Sequence, residues 1–280
     1  MSAKTVLVIG GTGAQGVPVV QELSQHGCHV RALTRDENSE HSKKLRDIVP
    51  NVQFMTGGPA DETALHSAFA GVHYAFVNLN SFSLGIKNEL YWGIRIFEIA
   101  VQSRVKHYVW SSLDDYALET KYDDAIRCGH YYGYYVRWVF EHPEKSAGLN
   151  LEIAVEDVSP KQIAEAFTVV TGKPAKGTNV TIEEWFQETG LPDAATQHRM
   201  GSSTSPNDSS LLTFEQNFSA WWRIYQNSGK NTELGLCKRD YALLDEIYPG
   251  RIRSLKQWME NVGYEGDATR TFEAGLPWGL

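Results

Sequence analysis

The sequence predicts an α/β protein: a doubly wound parallel sheet followed by a smaller, mostly helical α/β C-terminal domain. Three observations predict it. The first third alternates short β-branched runs with amphipathic stretches, as βαβ units do. A glycine string separates the first run from the first amphipathic stretch. After Ser112 the alternation stops, and helical patterns dominate the remainder. A chain of 280 residues holds one large α/β domain or two ordinary ones, since domains usually run ~100–200 residues.

Taken in order, the predicted strands are Thr5–Ile9, His29–Leu33, Val52–Met55, His73–Val77 and His107–Trp110. Between them lie helix patterns at Val17–Gln25, Ser39–Ile48, Glu62–Phe69 and Asn88–Gln102. In the last of these Leu90, Ile94, Phe97 and Val101 recur at helical spacing, which predicts one buried stripe. Beyond a polar stretch holding Asp114-Asp115 and Asp123-Asp124, Tyr131, Tyr132, Tyr134, Tyr135 and Trp138 crowd together. That cluster reads as a packed junction. Leu149–Val155 reads as a strand, and Ser159–Thr171 as a helix with Ser159 as N-cap and Pro160 at its first position. Thr178–Ile182 reads as a strand whose Thr181 then caps a helix through Glu184 in a capping box. Helices are expected at Leu211–Asn227, Tyr241–Tyr248 and Ser254–Val262. The division expected is a nucleotide-binding domain at 1–135 and a C-terminal substrate or partner domain at 136–280.

Composition narrows the function. Hydrophobic residues make up 42% of the chain and charged residues 21%, which excludes a disordered or low-complexity protein. Lys plus Arg is 26 against 34 Asp plus Glu, a net charge of −8. Direct nucleic-acid binding is therefore not expected, because neutralising phosphates needs a basic face. Cys28, Cys128 and Cys237 are odd in number and far apart, so neither a disulfide framework nor a metal site is expected. No apolar run approaches the ~20 residues of a membrane span, and Val6–Ile9 is too short for a signal-peptide core. The expected location is the cytoplasm, with the nucleus open to it as well.

The glycines carry the chemistry. Gly10-Gly11-Thr12-Gly13-Ala14-Gln15-Gly16 follows a strand and opens a helix, the context that marks a Rossmann dinucleotide turn. Gly10 would permit the tight turn, Gly13 the approach of backbone to a pyrophosphate, and Gly16 close packing of helix on strand. The helix N-terminus behind them offers N–H groups and partial positive charge to phosphate. The end of the second strand selects the cofactor. An NAD site would place Asp or Glu there; this strand runs into Thr34-Arg35, with Asp36 one residue later. A guanidinium at that point pairs a 2′-phosphate, so NADP(H) is expected, with Lys43 or Lys44 adding charge. Asn78 ends the fourth strand and Ser112 follows the fifth. Each could meet a nicotinamide ribose or a substrate oxygen, or could serve only turn chemistry. No Tyr-x-x-x-Lys pair occurs anywhere in the chain.

Together, Val6–Gly16, Val30-Arg31-Ala32-Leu33-Thr34-Arg35 and His107-Tyr108-Val109-Trp110-Ser111-Ser112-Leu113 resemble the NmrA-like family of atypical short-chain dehydrogenases/reductases. The segments Phe140–Gly148 and Val158–Ala164 are similar to it as well. The resemblance implies an NADP(H)-binding domain closed by a small C-terminal domain. It implies that Gly10, Thr12, Gly13, Gln15 and Gly16 hold the pyrophosphate, Arg35 the 2′-phosphate, and Asn78 the nicotinamide side. Some members are oxidoreductases; others are redox-sensing regulators that bind transcription factors or signalling proteins. The chain departs from the family where Gly129-His130-Tyr131 opens a motif in which a lysine is expected and Tyr134 stands instead. Against the family's pattern, a block that would supply a sixth strand is missing between about Tyr131 and Tyr135, which leaves a sheet edge for homodimerisation. The expected function is NADPH-dependent reduction of a small carbonyl-type substrate, with Ser112 or Tyr131 giving electrophilic help. The alternative is a non-catalytic NADP(H) sensor that binds a protein partner.

Overall fold

The computed structural model describes residues 4–13, 15–111, 133–178, 180–188, 196–201, 205, 207–226, 239–261 and 263–266. These divide into two units. One comprises residues 1–113, 129–151 and 199–212, and the other 114–128, 152–198 and 213–280.

In the first unit five strands alternate with helices: β1 (Thr5–Ile9), α1 (Gly16–Gln25), β2 (His29–Thr34), α2 (Glu40–Ile48), β3 (Gln53–Thr56), α3 (Glu62–Phe69), β4 (Tyr74–Val77), α4 (Ser81–Leu84), α5 (Ile86–Gln102) and β5 (His107–Trp110). Every pairing is parallel, in the order β3-β2-β1-β4-β5. The doubly wound sheet expected from the sequence is thus the observed one. Alternation along the strands builds two apolar layers. Val6, Val8, Val30, Ala32 and Phe76 face Val19, Val20 and Leu23 of α1 and Leu45 of α2. Leu7, Ile9, Leu33, Ala75 and Val77 face Leu65 and Phe69 of α3 and Ile96 and Ile99 of α5. Side-chain caps start two of the helices: Ser39 Oγ accepts from Ser42 N before α2, and Asp61 Oδ1 accepts from Ala64 N before α3.

Two further helices of this unit follow, α6 (Gly133–Glu141) and α7 (Pro143–Ser146). The boundary expected at 135/136 cuts through α6, and the structure moves that helix to the first unit. Its Val136 and Phe140 sit in the core layer of α1, and Phe140 stacks on Tyr74 of β4 with ring centroids 5.1 Å apart. Arg137 on the same helix pairs with Glu22 of α1 at 2.8 Å and with Glu141 at 2.7 Å. Tyr135 is buried and Arg137 lies over the Tyr134 ring, so the described part of the aromatic cluster is packing.

The second unit holds α8 (Pro160–Thr171), α9 (Ile182–Glu188), α10 (Phe214–Gln226), α11 (Tyr241–Ile247) and α12 (Leu255–Asn261). Its aromatic core includes Trp185 stacked on Phe218, with Phe186 against Phe214. Two expected strands are not found among the described residues. Leu149–Val155 joins no ladder. Arginines satisfy its polar groups instead: Arg251 Nη1 donates to the Val155 carbonyl at 2.9 Å, and Arg239 pairs with Glu152. The run at 178–182 gives way to the cap it contains. Thr181 Oγ1 accepts from Glu184 N while Glu184 accepts from Thr181 N, so the helix begins at Ile182.

The third correction concerns α5. Leu90, Ile94, Phe97 and Val101 do not form a buried stripe; all four are at least half exposed. The face that packs on the sheet is Gly93, Ile96, Ile99 and Ala100, offset around the helix.

Candidate functional site

Parallel register brings four residues into one row at the carboxyl ends of the strands. Ile9 is level with Leu33 and with Val77, and Val77 is level with Trp110. One step further, Thr34, Gly10, Asn78 and Ser111 follow in order across the sheet. Their backbones continue the ladder. Gly57 N donates to Thr34 O (2.8 Å), Asn78 N to Ile9 O (3.1 Å) and Ser111 N to Val77 O (2.8 Å). β1 lies between β2 and β4, and the chain crosses from β3 past it to reach β4. That is the topological switch point, where α/β sheets bind ligands outside the carboxyl ends of their strands.

The glycine turn sits on this point. Gly10 has φ +81°, and a Cβ there would lie 2.6 Å from the Asn78 carbonyl, so conformation and space both require glycine. Gly13 N closes the turn on Gly10 O at 3.0 Å. At Gly16 a Cβ would stand 2.1 Å from Gly10 O and 2.6 Å from Gly11 Cα, which fixes how closely α1 docks on β1. Gly13 differs from these two. It is exposed, and a Cβ on it would meet only Gly10 O, at 3.4 Å. The turn is therefore closed towards the protein and open outward. Thr12 is half-buried on it. Gln15 is the residue before α1, and its side chain does not cap the helix.

Gln15 is instead drawn across the strand ends. Asn78 Nδ2 donates to Gln15 Oε1 at 2.9 Å, and Ser111 Oγ donates to the same oxygen at 3.4 Å. The carboxamide thereby has its acceptor occupied by β4 and β5. Ser111, the neighbour of the Ser112 named from the sequence, is thus the serine that reaches Gln15. Ser112 and Tyr131, the residues named for electrophilic help, lie outside the described residues.

At the end of β2, Arg35 is exposed and makes no hydrogen bond or ion pair among the described residues. The loop beneath it is held by hydroxyls. Ser42 Oγ donates to Asp36 O at 2.7 Å, Ser39 Oγ donates to Ser42 Oγ at 2.9 Å, and Thr34 Oγ1 lies 3.2 Å from Ser42 Oγ. The carboxylate of Asp36 accepts from Asn38 N at 2.8 Å, a local turn bond. Lys44 pairs with Glu40 at 2.9 Å, while Lys43 is exposed on α2. Away from the site, burial lowers the His107 pKa, and the ring packs edge-on against Tyr74 and Phe140. Burial pushes the Cys28 thiol up, as befits an unreactive packed side chain.

No helix of the described residues is long and apolar enough to cross a membrane. Residues 2–126 match the model of the NmrA-like family, so the resemblance read from the sequence is borne out there. Curated relatives include NmrA-like family domain-containing oxidoreductases of Aspergillus hancockii and Aspergillus flavus. The first is 34% identical over 116 residues (40% of this chain, 34% of the relative). The second is 38% identical over 115 residues (39% and 34%). The chain thus spans about a third of the length of the curated relatives it matches. Among solved structures, NmrA, a negative transcriptional regulator, in complex with NADP superposes with a TM-score of 0.61 at 17% identity. That match covers 100% of both chains and establishes likeness of fold.

Proposed function

We propose that this chain, which carries an NmrA-like family segment at residues 2–126, binds NADP(H) at the row of strand ends and reduces a small carbonyl-type substrate. The observation that carries the cofactor reading is the glycine turn, sterically closed inward at Gly10 and Gly16 and open outward at Gly13. A pyrophosphate fits that opening at the N-terminus of α1, where the helix presents partial positive charge. Gln15, its acceptor held by Asn78 and Ser111, directs its amide N–H groups as donors. Arg35 supplies the fork for a 2′-phosphate, and the competing carboxylate of Asp36 is engaged by Asn38. A bound nicotinamide supplies the hydride; the residues named here bind and orient, and none of them is assigned the proton.

Two expectations follow for Arg35. A hydrogen bond to a charged group is worth roughly 1.5–3 kcal/mol, so Arg35→Ala weakens NADPH binding about tenfold or more. NADH binding changes little. Titration calorimetry with both cofactors checks this, and an equal loss for the two would sink the NADP(H) assignment.

The oxidoreductase reading is supported by the names of the Aspergillus relatives. A second reading, NADP(H) sensing without turnover by a protein that binds a regulatory partner, is favoured by the absence of Tyr-x-x-x-Lys from the chain. Loss of reduced-nicotinamide absorbance against a carbonyl panel decides between them. Turnover upholds the reductase, and binding without turnover upholds the sensor.

A further inference from the structure

Helix α8 is built as a surface helix with one apolar stripe. Ser159 and Gln162 form a capping box at its start, Pro160 takes its first position, and Gly172, at φ +71°, ends it. Pro160, Ile163, Ala164 and Phe167 recur at helical spacing and share one face. No residue of the helix is buried, and Ile163 is 43% exposed. After Gly172 the chain turns back along this stripe and is pinned to it. Ala175 N donates to Thr168 Oγ1 at 3.1 Å, and a Cβ on Gly177 would stand 2.7 Å from the Pro160 carbonyl. Phe167 itself is fixed edge-on by the Tyr264 ring, and a Cβ on Gly266 would stand 2.8 Å from it. Between α8 and the returning chain lies an open groove of about 320 Å³, lined by the stripe and by Ala175, Lys176 and Gly177. Sites for small molecules begin at about 300 Å³ and combine apolar walls with a few polar groups.

We infer that this groove binds the apolar tail of a medium-chain monocarboxylate, with Lys176 holding its carboxylate. Charge selects the head group. Lys176 is the one charged residue of the lining and has no ion pair among the described residues. The neighbouring lysines are engaged elsewhere: Lys161 lies 3.7 Å from Glu165, and Lys173 Nζ donates to the Glu265 carbonyl at 2.6 Å. Where Gly177 meets Pro160, the groove also borders the N-terminus of α8, which carries partial positive charge. The first turn of that helix has no Asp or Glu to offset it. A chain of net charge −8 thus presents an anion-accepting corner beside an apolar trough. One ammonium balances one negative charge, which favours a carboxylate over the nearly doubly charged phosphate monoester. Length selects the tail, since from Pro160 to Phe167 the stripe runs about 10 Å at the α-helical rise. Every lining residue belongs to the second unit, whereas the glycine turn belongs to the first, so the inference does not depend on the cofactor reading.

Titration calorimetry of the full chain with octanoate tests this, and one saturable site is expected. Butyrate should bind at least about tenfold more weakly, because fewer methylenes leave water. Octanol, which keeps the tail and lacks the charge, should bind about threefold to tenfold more weakly. Lys176→Met should weaken octanoate by about threefold and leave octanol unchanged, a pattern that general loss of structure does not give. Ile163→Glu places a like charge on the stripe at a position already exposed to water. It should abolish octanoate binding with thermal melting unchanged. Failure of octanoate to bind the parent chain overturns the inference, even if a peptide or a second copy occupies the groove. So does octanoate binding that survives both substitutions, or a loss in Lys176→Met that is equal for octanoate and octanol.

Discussion

Gln15 shows how a single residue acquires a role that composition does not give it. Its carboxamide oxygen takes hydrogen bonds from Asn78 and Ser111, so under the proposed cofactor reading Asn78 would act on the ligand through Gln15. A neutral hydrogen bond contributes about 0.5–1.5 kcal/mol net. Asn78→Ala is therefore expected to weaken NADPH binding by roughly threefold to tenfold. The loss should largely vanish in a Gln15→Ala background. A double-mutant cycle by calorimetry checks the coupling, and strictly additive losses would show that Asn78 acts alone. Gly10 and Gly16 are legible in the sequence because their need for glycine is steric. Ser111 is not, since which of two adjacent serines faces Gln15 follows from strand register, and register is fixed by pairing across the sheet.

The elements divide along the same line. The five strands were legible because each is a short run of alternating or continuous apolar residues bounded by turn residues. Helix α5 was legible as a helix but not in its orientation, because Leu90, Ile94, Phe97 and Val101 show the same periodicity as Ile96, Ile99 and Ala100. Periodicity identifies an apolar face and does not say what covers it. The boundary expected at 135/136 falls inside helix α6 for a related reason: its apolar face matches α1 and β4, distant in sequence. Phe140 is 3% exposed and stacked on Tyr74, so Phe140→Ala should cost about 3–5 kcal/mol. Urea denaturation monitored on the sheet-bearing unit measures it. A loss below about 1 kcal/mol would mean that α6 is not part of that core. The neighbouring His107 makes the same packing sensitive to pH. Burial lowers its pKa in the folded state, so its stabilising effect is full above the ordinary histidine value of 6.5 and is lost as pH falls through the lowered one. His107→Phe keeps a ring against Tyr74 and Phe140 and removes the proton site. The variant should therefore lose less melting temperature than the parent between pH 7 and pH 5, and equal losses would remove His107 as the cause.

At the scale of the whole molecule, the glycine turn, Arg35, Asn78 and Ser111 all belong to one of the two units. A ligand held by those residues stabilises the unit that carries them, by RT ln(1 + [L]/Kd). At a hundred times Kd this is about 2.7 kcal/mol. Hydrogen exchange reads where that energy goes. With NADPH bound, protection should rise in β1, the start of α1, the ends of β2 and β4, and Ser111, which share the ladder beyond the strand ends. The second unit holds none of these residues and has its own core in Trp185, Phe186, Phe214 and Phe218. Its amides in α9 and α10 should exchange as before. Equal protection of both units at saturating NADPH would show that the second contributes binding residues of its own. Protection confined to α9 and α10 would move the cofactor away from the glycine turn altogether.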